Sequence, residues 1–174
     1  FLIMGLIELY QTEFNADDLT DAAILQQQMF RDYRDENAGG FFLTAKENSE
    51  LPARPKELYD GAMPSANSVS FLNLLQLARL TGDPEWEKAA SGMARAFSGT
   101  VKHYPSAYTY FLMGADFSLS KSREIVVVGD PEAADTRAML SVLNSRFAPN
   151  QVVLLKSEQN AAQLEKIAGF TAGM

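Results

Sequence analysis

Between Arg54 and Ser68 the chain reads Arg-Pro-Lys-Glu-Leu-Tyr-Asp-Gly-Ala-Met-Pro-Ser-Ala-Asn-Ser. Glu57 and Asp60 stand three residues apart and can converge as an acid–base pair if the chain turns between them. Carboxylates held at unequal depths from water acquire unequal acidities, which is what a proton-transferring pair needs. Arg54 and Lys56 are suited to an anionic or hydroxyl-rich ligand, and the Tyr59 ring to stacking on a ligand ring. A structural reading competes with this one. Arg54 can pair with Glu57, while Ser65, Asn67 and Ser68 satisfy the open amides of a helix start. The same reasoning bears on stability: Glu57, with two basic neighbours, is expected to hold the fold, and Asp60, beside Gly61, is not.

The elements that position this stretch follow from its punctuation. Pro55, Gly61 and Pro64 break regular structure, and Leu58, Tyr59 and Met63 are too apolar for a linker, so the stretch is an ordered loop. Before it, Leu2 to Phe14 reads as a helix. Asn15 caps a second one over 16–33, with Leu19, Ala22, Ala23, Met29, Phe30 and Tyr33 as its stripe. Ala38-Gly39-Gly40 ends that segment, 41–44 is a short strand or packed extended piece, and 46–51 is a polar loop tip. After the loop, Ser65 or Asn67 caps a third helix through Leu80. Thr81-Gly82-Asp83-Pro84 stops it and starts a fourth, with Trp86, Ala90, Met93, Phe97 and Val101 on one face. A fifth helix is expected over 106–118.

The character then changes. Glu124 to Asp130 is a β-branched run that ends in a turn, Gln151 to Leu155 is a second apolar run, and both read as buried strands. Between them 133–147 is helical, with Met139, Leu140, Leu143 and Phe147 on one side, and a last helix follows over 158–168. Strand, helix and strand at this spacing predict two parallel neighbouring strands. Val128-Gly129-Asp130 has one glycine where a dinucleotide fingerprint needs three, so the unit is read as packing. The expected class is mainly α: helical hairpins over 1–118, then a small βαβα subdomain over 123–174. An offset of 67 matches Leu19 to Trp86, Ala22 to Ala89, Ala23 to Ala90 and Phe30 to Phe97, the pattern of repeated helical pairs.

Composition removes several functions. The chain of 174 residues is 47% hydrophobic, enough for a core, and its net charge of −7 repels a nucleic-acid backbone. With no cysteine and one histidine, thiolate chemistry, disulfides and histidine-based metal cages are excluded, and no cofactor or metal is expected. Phe1 to Ile7 lacks a basic flank and meets Glu8 at once, so neither a signal peptide nor a membrane segment is expected. The apolar helical pattern is already running at Phe1, as in a piece of a longer protein.

The loop resembles the RPKE-x-x-DGA-x-PS-x-NS signature of the spermatogenesis-associated, thioredoxin-domain-containing family. The resemblance extends through Leu74 to Pro84, Tyr104-Pro105-Ser106-Ala107 and Arg123 to Asp130. It implies a thioredoxin-like domain upstream and a six-hairpin α/α barrel, of which 1–118 would be a partial toroid similar to N-acylglucosamine 2-epimerases and glycosidases. Such barrels bind sugars with carboxylates and aromatics from loops at one end. Under that resemblance Glu57 and Asp60 are catalytic candidates for a carbohydrate isomerase or epimerase, less so a glycoside hydrolase. Arg54, Lys56, Tyr59, Asn67 and Tyr104 are then the ligand-binding candidates. His103 lies outside the matching residues and reads as a C-terminal cap, and Ser106 lacks the partners of a hydrolytic triad. The alternative is a non-catalytic binding or scaffolding module serving the upstream domain. A cytoplasmic setting is expected, as is a homodimer of the isolated piece, formed through helices of 1–118 that a full barrel would cover.

Overall fold

The structure, a computed structural model, describes residues 1–47 and 53–174. Helices α1 (Leu2–Glu13) and α2 (Ala16–Tyr33) are followed by a segment whose described residues form neither helix nor strand. Then come α3 (Ala66–Thr81), α4 (Pro84–His103), α5 (Thr109–Leu119), β1 (Arg123–Val128), α6 (Ala134–Asn144), β2 (Gln151–Lys156) and α7 (Ala161–Ile167). The described chain is mainly helical, with one small parallel sheet.

The caps read from the sequence are in place. The Asn15 side chain accepts from the Asp17 amide, Ser65 from Ser68 and Asp83 from Glu85, with Pro84 in the first turn of α4. Gly82 closes α3 at φ 73°, a conformation that costs a side-chain-bearing residue about 1 kcal/mol or more. The turn between α1 and α2 does without glycine. Phe14 takes φ 56°, and its ring meets Tyr10 edge-on at 6.0 Å, so packing holds a strained residue in place.

Helix α1 packs along α2, and α3 along α4, while α3 also packs on α5. Thirteen of the sixteen residues of α3 are buried, so this helix is the axis of the molecule. On α4, Trp86, Ala90, Met93 and Val101 form the buried face expected of them. On α2, Leu19 and Ala22 are fully buried, with Ala23, Met29, Phe30 and Tyr33 packed more loosely against the same core.

Strands β1 and β2 pair in parallel, Ile125 opposite Val153 and Val127 opposite Leu155. Every residue of β2 from Val152 to Lys156 is buried, because this strand also packs on α1 and α3. The Val153 amide donates to Gln11 Oε1 of α1 at 3.1 Å. One cluster of buried side chains therefore runs from Ile3 and Ile7 through α3 to Leu154 and Leu164.

Four expectations need correction. Helix α6 ends at Asn144, and Phe147 is 94% exposed rather than part of its apolar side. Pro149 disfavours helical backbone at the residue before it, which stops the segment early. Met139, expected on the same side, is 48% exposed. Helix α7 starts at Ala161, not 158. Strand β1 is not the buried strand expected of its run: only Val127 is buried, and Val128 is 52% exposed. Of the two alternatives for 41–44, the packed piece is what forms, with Phe41 buried and joined to Arg34 by an isolated antiparallel bridge. Of the polar tip at 46–51, only Lys46 and Glu47 lie within the described residues, and both are exposed.

Candidate functional site: the signature loop

The signature loop runs across the ends of three helices. At its start the Arg54 guanidinium donates to the carbonyl of Thr44 through Nε at 3.1 Å and to that of Asp32 through Nη2 at 3.2 Å. The same group lies over the Phe42 ring, 4.2 Å from its centroid. Lys56 Nζ reaches Asp35 Oδ2 at 2.7 Å and the Gly39 carbonyl at 2.9 Å. Asp35 Oδ1 in turn accepts from the amides of Asn37 and Ala38. The Ala38 amide first, and Lys56 second, hold the Asp35 carboxyl below the usual carboxylate range.

Further along, Leu58 is buried in the core and Asp60 turns inward. Its Oδ1 accepts from the Ser65 amide at 2.8 Å, and its Oδ2 from the amides of Tyr110 at 2.9 Å and Phe111 at 3.1 Å. The Asp60 amide donates to the Ala107 carbonyl at 2.9 Å. No side chain caps α5 from within its own segment. Asp60 supplies that cap from fifty residues away, placing a carboxylate at the positive end of the helix dipole. This also explains why α5 begins at Thr109 after a single tight turn over 105–107, rather than at 106.

Asn67 closes the loop from below. It is fully buried; its Oδ1 accepts from the Phe41 amide at 2.8 Å, and its Nδ2 donates to the carbonyls of Phe41 and Glu57 at 2.9 and 2.8 Å. The structure thus places Arg54, Lys56, Asp60 and Asn67 on backbone groups and on one another's supports. Glu57, Tyr59 and Tyr104 are exposed instead, the two rings at 59% and 62%. The Arg54–Glu57 pair does not form. Among the described residues the Glu57 carboxylate has no hydrogen-bond partner, and no shared donor joins it to Asp60. The partners expected for Glu57 are thus absent, and those not expected for Asp60 are present. His103 is exposed in the last turn of α4 and, among the described residues, its side chain makes no capping hydrogen bond; the Tyr104 amide closes the helix on the Thr100 carbonyl instead.

What the sequence did not single out is Asp35, the counter-charge of Lys56. The one available signal was local: an aspartate followed by Asn-Ala-Gly-Gly is the pattern of a side chain that folds back on its own amides. The far partners, the amides of Tyr110 and Phe111, had no local signal at all.

At the carboxyl ends of β1 and β2 lies a second concavity of about 590 Å³, where open parallel sheets often take ligands. Its one buried cation, Lys156, is consumed by Glu165 at 2.5 Å and the Thr171 carbonyl at 2.8 Å. Asp130, Glu158 and Glu165 leave the lining acidic, which disfavours a phosphate. Among the described residues no group of three or more His, Asp or Glu side chains is placed to hold a metal ion. No described helix is long and apolar enough to cross a membrane.

No family model matches the chain. Similarity to individual proteins extends along it from end to end. It is 33% identical over 175 residues to spermatogenesis-associated protein 20 of Rattus norvegicus, with all of this chain covered. It is 34% identical over 171 residues to the Homo sapiens protein of the same name, covering 98% of the chain. An uncharacterized protein of Caenorhabditis elegans, B0495.5, is 30% identical over 161 residues, covering 92%. The chain spans 22% of the length of each of these relatives. These similarities support the spermatogenesis-associated family to which the signature loop pointed.

Proposed function

We propose that this chain is a non-catalytic binding or scaffolding module of a larger helical-hairpin protein, and that its signature loop is a clasp rather than an acid–base site. The observation that carries this reading is the anchoring of Asp60. Three backbone amides at the starts of α3 and α5 are bound to it, one on Oδ1 and two on Oδ2. A carboxylate so engaged is held in place by helix ends and keeps only one acceptor site, on Oδ1. The paired packing of α1 with α2 and α3 with α4 is what part of an α/α toroid requires, and the remaining hairpins would come from the rest of the longer protein. On this reading the module sits beside a thioredoxin-like domain in a cytoplasmic protein, as the family resemblance implies.

One observation favours a second reading, a carbohydrate-binding or epimerase-like surface. Glu57, Tyr59 and Tyr104 are exposed on segments that the Asp60–Ala107 hydrogen bond joins. Two aromatic side chains and a carboxylate have the chemistry of a sugar platform, with Asp60 anchored on three amides rather than facing Glu57 across it. Saturation-transfer NMR of the 174-residue chain with a panel of mono- and disaccharides separates the two. The module reading expects no transfer to any sugar. Transfer that disappears in Glu57→Gln and Tyr59→Ala, with the fold retained, replaces it with the carbohydrate reading.

A further inference from the structure

A cavity of about 450 Å³ opens on the far side of the loop's anchor, between the 34–41 segment and α4. Its floor is apolar: Phe41 and Met93 are almost fully buried, and Ala89 is buried beside them. Its rim is cationic, with Arg34 on one wall and Lys88 and Arg95 on α4 opposite. Positions 88, 92 and 95 lie on one helical face, and Gly92 between the two cations leaves the space open. Gly39, at φ 78°, approaches so closely that an added Cβ would lie 2.8 Å from the Gly92 carbonyl oxygen. That contact fixes the mouth of the cavity.

The charges around it are unequally committed. Asp35 is occupied by Lys56 and two amides. Glu36 is turned to Lys46 with its side chain 70% exposed. Lys88 meets the exposed Glu85 at 3.3 Å. Among the described residues, the guanidinium groups of Arg34 and Arg95 have neither a carboxylate nor a hydrogen-bond partner. The Arg34 fork is nevertheless fixed, because it lies over the Phe30 ring at 4.6 Å. Other cations, Lys121 and Arg146 among them, are also unpaired among the described residues, but they stand on open surface, whereas Arg34 and Arg95 flank a cavity with an apolar floor. A planar fork matches an oxyanion bidentately, and the floor accepts a small organic body.

We propose that this cavity binds a small organic oxyanion, its carboxylate or phosphoryl group on Arg34 and Arg95 and its apolar part on Phe41 and Met93. Isothermal titration of the 174-residue chain with phenyl phosphate, benzoate and neutral benzyl alcohol tests it at low ionic strength. Binding is expected for at least one anion and not for the alcohol. Tighter binding of phenyl phosphate identifies a phosphoryl ligand, and tighter binding of benzoate a carboxylate. Losing one charge-assisted contact weakens binding by roughly tenfold or more, so Arg34→Gln and Arg95→Gln should each do so. Arg95 is exposed, so that variant keeps the fold even if Arg34→Gln does not. Lys102→Gln, on the last turn of α4 outside the cavity, should bind as the parent does. Absence of heat from both anions at roughly ten-millimolar concentration, where a site this weak has no recognisable contact energy, overturns the proposal. So does binding that Arg95→Gln leaves unchanged.

Discussion

Replacing Asp60 by asparagine keeps the side chain's volume and removes one acceptor and the charge. The aspartate takes three amide hydrogen bonds, at 2.8, 2.9 and 3.1 Å. Asparagine does best by turning its carbonyl oxygen to Tyr110 and Phe111, which leaves its NH2 group against the Ser65 amide. One charge-assisted bond is then lost, about 1.5–3 kcal/mol, together with roughly 0.3–1 kcal/mol of helix-dipole interaction at α5. The expected cost is about 2–4 kcal/mol. Alanine orphans all three amides and should cost more, near the upper end of single-substitution losses at about 4–5 kcal/mol. With a urea m-value of about 2 kcal/mol per molar, Asp60→Asn should lower the denaturation midpoint by about 1–2 M. Glu57→Gln, at an exposed and unpartnered site, should stay within about 0.5 kcal/mol of the parent. Amide exchange supplies a local readout: Tyr110 and Phe111 should lose protection in Asp60→Asn before α3 does. An unchanged or raised midpoint for Asp60→Asn would refute the clasp and return Asp60 to the list of ligand-facing carboxylates.

The remaining expectations can be checked on the same chain. Asn67→Ala leaves the Phe41 amide and two carbonyls without their partner in a fully buried site; it should cost about 3–5 kcal/mol in urea denaturation. Asp35 has a carboxyl held below its unfolded value, so its contribution is present above the unfolded pKa of about 4 and is lost as pH falls through the lower folded one. The parent's stability should therefore drop more steeply below about pH 4 than that of Asp35→Asn, as measured by denaturation at stepped pH. Leu154→Ala, at a fully buried position of β2, should cost about 2–5 kcal/mol and lower the midpoints of the helical and sheet signals together. Leu112 and Met113 remain exposed on α5, so sedimentation should show a homodimer that Leu112→Glu converts to monomer.

What could be read in advance was whatever depends on neighbours in the chain. Asn15, Ser65 and Asp83-Pro84 cap as expected because a cap side chain bonds amides only two or three residues on. The two valine- and leucine-rich runs pair as strands because β-branched continuity and spacing suffice to place a parallel pair. The clasp was not readable in the same way. Proximity in sequence suggested Arg54 with Glu57, whereas Arg54 spans to Asp32 and Thr44, and Asp60 to Tyr110. An extended loop sends successive side chains in different directions, so residues three apart meet only when the chain turns back. The loop side chains met helix ends instead.

That outcome has a physical logic. A helix ends in unmatched carbonyls and begins with unmatched amides, and charged side chains satisfy both better than neutral ones. Arg54 accordingly goes to the Asp32 carbonyl in the closing turn of α2, and Lys56 to the Gly39 carbonyl just beyond it. Asp60 goes to the opening amides of α5 and to the cap of α3. Each charge in the clasp answers a backbone group of opposite polarity, so its identity follows from architecture. Arg34 and Arg95 answer none among the described residues, and neither do Glu57 of the loop or exposed cations such as Lys121 and Arg146. What separates the two arginines from those is the apolar-floored cavity they flank, which is why the ligand is proposed there.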